Sequence, residues 1–266
     1  MSRLNLTSLR KMKEEQRKIA MLTSYDASFS KLLDAAGVDI ILVGDSLGTV
    51  VQGHESTVPV TVDDMIYHCR HVLRGSQRAF VIIDMPFMSY ATPQQAAQNA
   101  ARLMTSGGAH MVKLEGGGAV IEETVRELTE RGIPVCGHLG LLPQSEHRLS
   151  GYQSQKWSDQ AVQKLLKDAK GLQQAGAEMV VLACVPATVG AEITAELTIP
   201  VIGFGAGRSC DGQVLILYDM LGISAGKTQP FNHDFLADSG NIPDAIEKYV
   251  QDVKSGDFPQ PQHEYE

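Results

Sequence analysis

The chain has 266 residues, 43% hydrophobic and 20% charged, which supplies apolar surface for a sizeable core and excludes a disordered or fibrous protein. Its 23 basic and 31 acidic residues give a net charge of −8, arguing against a nucleic-acid surface or an anionic-membrane patch. Cys69, Cys136, Cys184 and Cys210 lie far apart with no CxxC pair, so neither a zinc ribbon nor a disulfide framework is indicated, and a reducing compartment fits.

The amino-terminal run MSRLNLTSLRKMKEEQRK is polar where a leader peptide needs an apolar stretch, and nowhere do ~18 apolar residues run together. A cytoplasmic protein without membrane contact is expected. From Ile19 onward short apolar runs alternate with segments of helical period. Strands are predicted at 19–23, 38–43, 79–84, 110–115, 133–138, 178–184, 200–204 and 213–217. Helices are predicted at 26–36, 61–74, 93–106, 119–131, 158–175, 187–196 and 243–254, with 205–212 too short for one. Thr61 and Thr92-Pro93 have the chemistry of helix starts, and Gly37, Gly107, Gly132 and Gly176 stand where helices must stop before the next strand. Eight βα units in this length favour one (β/α)₈ barrel over residues 1–266, with about 1–18 and about 256–266 peripheral. An open doubly wound sheet is the alternative.

Barrel chemistry stands at the carboxyl ends of strands. Asp45 follows ILVG, Asp84 follows FVII and Glu115 follows MVKL, so three successive strands end in carboxylates. Adjacent strands lie ~4.8 Å apart, and acids gathered in one apolar mouth need a cation; hard oxygen donors favour Mg²⁺ or Mn²⁺. Taken singly, each is also compatible with a helix cap or a surface acid. Lys113 lies two residues before Glu115 and shares its face, with either a substrate carboxylate or the acids themselves as its partner. His138 is expected at the end of the fifth strand, as a donor to a substrate oxygen or as a histidine bonded within the core. The run Gly203-Phe204-Gly205-Ala206-Gly207 has the composition of a phosphate cradle or of a tight turn.

Several ordered motifs, MLTSYD (21–26), VGDSLG (43–48), STVPVTVDDM (56–65), DMPFMSY (84–90), VKLEGG (112–117), GIPVCGHLGL (132–141) and CDGQVL (210–215), resemble the ketopantoate hydroxymethyltransferase family. The resemblance implies a TIM barrel of the phosphoenolpyruvate/pyruvate type. It implies transfer of a hydroxymethyl group from methylene-tetrahydrofolate to 3-methyl-2-oxobutanoate, through a Mg-stabilised enolate, giving 2-dehydropantoate for pantothenate synthesis. It carries one Mg²⁺ per subunit onto Asp45, Asp84 and Glu115, substrate contacts onto Asp45, Ser46, Asp84 and Lys113, and catalytic assistance onto Lys113 and His138. It further implies a homo-oligomer, a ring-based decamer. The family's strand-six motif E-C-V-P, whose glutamate is the proton acceptor, reads Ala183-Cys184-Val185-Pro186 in this chain. A methyl group cannot take a proton. The run after GHLGL also departs, with Leu142-Pro143-Gln144-Ser145 and SGYQSQKW (150–157). Glu178, at odd spacing from Ala183 and at the wrong end of its strand, is not expected to substitute; Glu146 in the altered loop is the more mobile candidate. A metal-binding barrel with impaired catalysis, or a related carbon–carbon lyase or mutase, stands as the alternative.

Overall fold

The computed structural model describes residues 3–145, 157–224 and 229–265. Runs buried on both faces call for a parallel sheet covered by helices. The eight strands, β1 (Ile19–Thr23), β2 (Ile40–Val43), β3 (Phe80–Asp84), β4 (Met111–Glu115), β5 (Val135–Gly140), β6 (Met179–Ala183), β7 (Val201–Phe204) and β8 (Gly212–Leu215), pair in chain order into a closed barrel. Closure excludes the doubly wound alternative, because β1 pairs with β8 as well as with β2.

Side chains alternate across each strand. One set, including Ala20, Ile41, Val81, Val112 and Val180, packs outward beneath the helices. The other, including Met21, Ile40, Ile82, Met111 and Val181, fills the barrel interior. The amino-terminal segment, expected at the periphery, instead carries helix Leu6–Glu14, whose Leu9 and Met12 are buried against that interior set. At ~1.5–3 kcal/mol for each fully buried side chain, the helix contributes to the core as a plug at the amino end of the barrel. The carboxyl-terminal segment is likewise anchored: Phe258 and His263 are buried, and Tyr265 bridges to Pro186. Helix Ile242–Ser255 lies over β1, and its Tyr249 hydroxyl donates to the carbonyls of Met21 and Gln213, both at 2.9 Å.

The fifth strand begins two residues later than its apolar run and extends through Gly140. Pro134 has no N–H to give a ladder, although its carbonyl still accepts from Val112. No helix joins β7 to β8, as the spacing predicts, whereas short helices at Leu47–Val50 and Leu217–Met220 lie next to the carboxyl end of the barrel. No helix among the described residues is long and apolar enough to cross a membrane.

The β3–β4 edge contains a proton-sensitive contact. His110 Nδ1 accepts a hydrogen bond from the Val81 N–H at 2.9 Å, which requires a neutral ring nitrogen. Burial, and secondarily Arg3, lowers its pKa from 6.5 to about 4. The unfolded chain therefore takes up this proton at higher pH than the folded one. Its contribution to stability is full above the unfolded value and is lost as pH falls toward about 4. His110→Asn, which keeps an uncharged acceptor, is expected to lessen the fall in melting temperature between about pH 7 and about pH 4.5. Identical falls in both proteins would assign the acid sensitivity to other groups.

Candidate functional site

Alternation determines what faces the barrel mouth. On β3 the inward series Phe80, Ile82 ends in Asp84; on β4 Met111 is followed by Lys113 and Glu115; on β5 Cys136 is followed by His138. Register then sets neighbours side by side, Asp84 against Lys113 and Glu115 against His138. Asp45, two residues beyond β2, completes the group, and its backbone N–H donates to Asp84 Oδ2 at 3.0 Å. All five side chains line a cavity of about 770 Å³, and all are buried.

Among the described residues of this cluster, three carboxylates share the space with one ammonium group. Lys113 Nζ lies 2.7 Å from Asp84 Oδ1, an ion pair that is not aligned as a hydrogen bond, and that oxygen has no hydrogen-bond partner among the described residues. Burial works against the Lys113 charge, but Asp84, Glu115 and Asp45 together outweigh it and hold its pKa above the ordinary lysine value. Asp45 and Glu115 are both pushed up, chiefly by burial, with Asp84 next for Asp45 and Asp45 next for Glu115.

His138 lies within its strand and not at its end. Its Nε2 is 2.9 Å from the Leu141 carbonyl and its Nδ1 is 3.1 Å from Lys113 Nζ. Donation from Nε2 leaves Nδ1 to accept from the lysine, and burial together with Lys113 holds the ring pKa well below its usual value. Both nitrogens are thus engaged within the protein, one of them by Lys113. Ser46 also lines the cavity, its hydroxyl 2.8 Å from the Tyr25 hydroxyl.

The sequence reading missed Gln144. It lies in the single turn Pro143–Ser145, and its side-chain amide donates to Asp45 Oδ2 at 2.8 Å and to the Met85 carbonyl at 3.0 Å. Its backbone N–H donates to Glu115 Oε2 at 3.1 Å, while its amide oxygen accepts from the Tyr90 hydroxyl at 2.6 Å. Only the motif phrases DMPFMSY and LPQS marked these two residues, without a role. Among the described residues no three His, Cys, Asp or Glu side chains stand close enough to enclose an ion as they are arranged. Gln144 lies between Asp45 and Glu115, and Lys113 lies against Asp84. The donor set still fits a divalent cation. Its oxygens are hard, they are buried, and one ammonium cannot balance three carboxylates.

At the end of β6, Ala183 continues the inward series Met179, Val181 but is itself only 1% exposed. Its neighbours in register are Gly140 and Phe204. Phe204 lines the cavity and packs edge-on against Phe231 with ring centroids 4.5 Å apart. The next residue, Cys184, holds the left-handed backbone conformation with φ 53°, a locally strained arrangement for a residue with a side chain. Glu178 is at the opposite end of β6 and pairs with Arg10 at 2.9 Å; Glu146 lies outside the described residues.

A sequence model described as ketopantoate hydroxymethyltransferase matches residues 3–261. The chain belongs to that family. It is 61% identical over 259 residues to the 3-methyl-2-oxobutanoate hydroxymethyltransferase of Nitrosococcus oceani, covering 97% of this chain and 98% of that one. It is 54% identical over 264 residues to the enzyme of the same name from Idiomarina loihiensis, covering 99% and 98%. A solved phosphonopyruvate hydrolase, in complex with oxalate and magnesium, is similar with a TM-score of 0.61 at 11% identity, covering 99% of this chain and 93% of that one. At that identity the likeness is one of fold alone.

The glycine-rich run 203–207 begins within β7, and its glycines are accounted for by backbone conformation and packing. Gly205 and Gly207 have φ of 66° and 87°, and a Cβ on either would come within 2.7 Å of Phe231 or 2.6 Å of Ala187. These glycines meet the demands of a left-handed turn in a close-packed corner, and of the run only Phe204 lines the cavity.

The acid cluster makes a measurable prediction. Gln144→Glu replaces the amide that donates to Asp45 by a further carboxylate. It is expected to lower the melting temperature in chelator by on the order of 5 °C, and millimolar Mg²⁺ is expected to restore much of the loss. Equal melting temperatures with chelator and with Mg²⁺ would separate Gln144 from any cation site.

Proposed function

We propose that the chain transfers a hydroxymethyl group from methylene-tetrahydrofolate to 3-methyl-2-oxobutanoate, giving 2-dehydropantoate for pantothenate synthesis. The observation that carries this reading is the family match over residues 3–261, joined to a buried acid–lysine cluster at the barrel mouth. Relatives of the same name cover nearly the whole chain, whereas the lyase and mutase neighbours are similar in fold alone. In the same reading it is a cytoplasmic homo-oligomer, a decamer with one Mg²⁺ per subunit.

Asp45 and Asp84 would hold the Mg²⁺ directly, with Glu115 bound directly or through water. Such a cation polarises the oxygens of a 2-oxo acid and stabilises the negative charge that develops when a neighbouring carbon loses its proton. Lys113 pairs with the substrate carboxylate or enolate oxygen, in a pocket where an ionic hydrogen bond is strong because water is excluded. His138 fixes the lysine from behind, and Ser46 offers a hydroxyl to the same substrate. Ala183 at the end of β6 cannot take a proton, so in this reading proton removal from C3 falls to water, to buffer base entering the cavity or to another side chain. One water is consumed: it breaks the bonds of the one-carbon unit to the folate nitrogens and supplies the hydroxyl oxygen. The enolate carbon forms the new carbon–carbon bond to that carbon, the resulting alkoxide takes up a proton to balance the one lost from C3, and tetrahydrofolate leaves.

Asp45→Asn and Asp84→Asn are each expected to weaken Mg²⁺ binding by calorimetry, whereas Lys113→Met should weaken binding of the 2-oxo acid more than that of Mg²⁺. Unchanged Mg²⁺ affinity in both aspartate variants would remove the metal assignment. Equal losses of metal and 2-oxo acid in the lysine variant would make Lys113 a general neutraliser.

A missing general base commonly removes ~10²–10⁴-fold of rate. Ala183→Glu is therefore expected to speed exchange at C3 of 3-methyl-2-oxobutanoate, followed by NMR in D₂O with Mg²⁺, with little change in substrate affinity. In the unaltered protein the exchange should rise with buffer-base concentration. Fast, buffer-independent exchange that ignores the substitution would mean that another side chain takes the proton.

A further inference from the structure

The cavity has two chemically distinct walls. The wall formed by β2 to β5 carries the acids and Lys113, while the wall formed by β6 to β8 carries Val181, Phe204, Val214, Ile216 and Phe231. One charged group of the second wall lies beyond β8. Asp219, in the short helix Leu217–Met220, is partly buried and lines the cavity. Its Oδ1 accepts from the Ser224 hydroxyl, and its Oδ2 accepts from the Asn232 side-chain amide at 3.2 Å. These bonds fix the plane of the carboxylate. They spend two of the roughly four acceptor positions that such a group offers.

We infer that Asp219 recognises the pterin ring of the one-carbon donor, with Tyr218 and the Phe204–Phe231 pair forming the aromatic and apolar surface against which the ring lies. The inference rests on the reading of the chain as a folate-dependent transferase. A tetrahydropterin presents N3–H and its 2-amino group along one edge, two parallel donors that match the two oxygens of a carboxylate as a guanidinium does. A flat heterocycle also needs apolar faces beside that anchor. Tyr218 supplies one, held by Tyr25 and Phe29 at centroid separations of 5.7 and 6.0 Å. Phe204 and Phe231 supply another.

The placement also answers a demand of the reaction. Two substrates must meet in one cavity with the transferred carbon between them. The acid wall takes the 2-oxo acid, and the opposite wall offers, among the described residues, the Asp219 carboxylate with rings around it. Burial raises the Asp219 pKa, opposed by its bonds to Ser224 and Asn232, so a ligand that donates two hydrogen bonds relieves a group already taken from water.

The test uses the full-length protein with Mg²⁺ and compares, by calorimetry without oxygen, tetrahydrofolate with an analogue lacking the 2-amino group. The unaltered protein is expected to prefer tetrahydrofolate by about ten- to a hundredfold, the effect of losing a charge-assisted hydrogen bond. Asp219→Asn should weaken tetrahydrofolate by a similar factor and bring the two ligands to within about threefold of each other, because the paired group is gone from both sides of the cycle. Metal-dependent binding of the 2-oxo acid, measured on the same samples, reports whether the variant has kept its fold. Equal affinity of the unaltered protein for both ligands would overturn the assignment without any variant. So would undiminished tetrahydrofolate binding in Asp219→Asn combined with slowed C3 exchange, which would make Asp219 the proton acceptor. If the unaltered protein binds the 2-oxo acid and Mg²⁺ but no tetrahydrofolate, the donor of the proposed reaction fails, and this assignment fails with it.

Discussion

The Lys113–Asp84 pair is the contact on which the barrel mouth depends. Both groups are buried, and desolvating an ion costs several kcal/mol even after relaxation, so neither charge is tolerable alone. Their juxtaposition follows from parallel register, which sets Asp84 beside Lys113 across adjacent strands. A one-residue slip of β4 would turn Lys113 into the helix layer and leave Asp84 facing an apolar side chain. The polar neighbours then extend the compensation. His138 accepts from Lys113, and Gln144 donates to both Asp45 and Glu115. Two neighbouring registers, β3–β4 and β4–β5, thus align four ionisable groups, and Asp45 and a loop amide join them through hydrogen bonds.

Such a cluster is a local deficit that the rest of the fold must offset. The amino-terminal half of the barrel interior is apolar, from Ile19 and Met21 through Phe80, Ile82 and Met111 to Val214, and Leu9 and Met12 close it from outside the barrel. The outer layer is larger and continuous, tying each strand to the helices. Rigidity at the base is what permits strain and uncompensated charge at the mouth, where Cys184 holds a left-handed backbone and two carboxylates have raised pKa values.

Much of this was legible in the sequence because the period of a strand is short and its end is marked by a change of polarity. Asp84 and Glu115 could be placed at strand ends from FVIID and MVKLE alone, and Lys113 followed by parity. The fifth strand was read two residues early because Ile133-Pro134 continues the apolar run, while only the missing N–H of proline delays the ladder. Helix Leu6–Glu14 was hidden by its charge. Its buried face is two side chains wide, and the remaining positions are polar. Gln144 and Tyr90 fell within motif phrases that gave them no role, since their contact arises when a loop after β5 meets a loop after β3. Phe204 was masked by the glycines on either side, which drew attention to phosphate chemistry in a turn where glycine answers to packing.

The end of β6 is where sequence and structure together say more than either does alone. The substitution of the motif's glutamate by Ala183 reads in the sequence as a simple loss. In the fold, the neighbouring strand position is Phe204, whose ring lines the cavity against Phe231 while the Ala183 methyl is almost wholly covered. The wall facing the acids is accordingly an apolar surface. A carboxylate there would share the cavity with Asp45, Asp84 and Glu115 as well as Asp219 and would need its own compensation; an aromatic wall needs none, and it lowers the local dielectric in which Lys113 and the acids act. In the proposed reaction such a wall would favour binding over proton transfer: it would strengthen electrostatic contacts to a bound 2-oxo acid and give a flat co-substrate a surface to lie on, while Ala183 itself would contribute nothing to enolate formation.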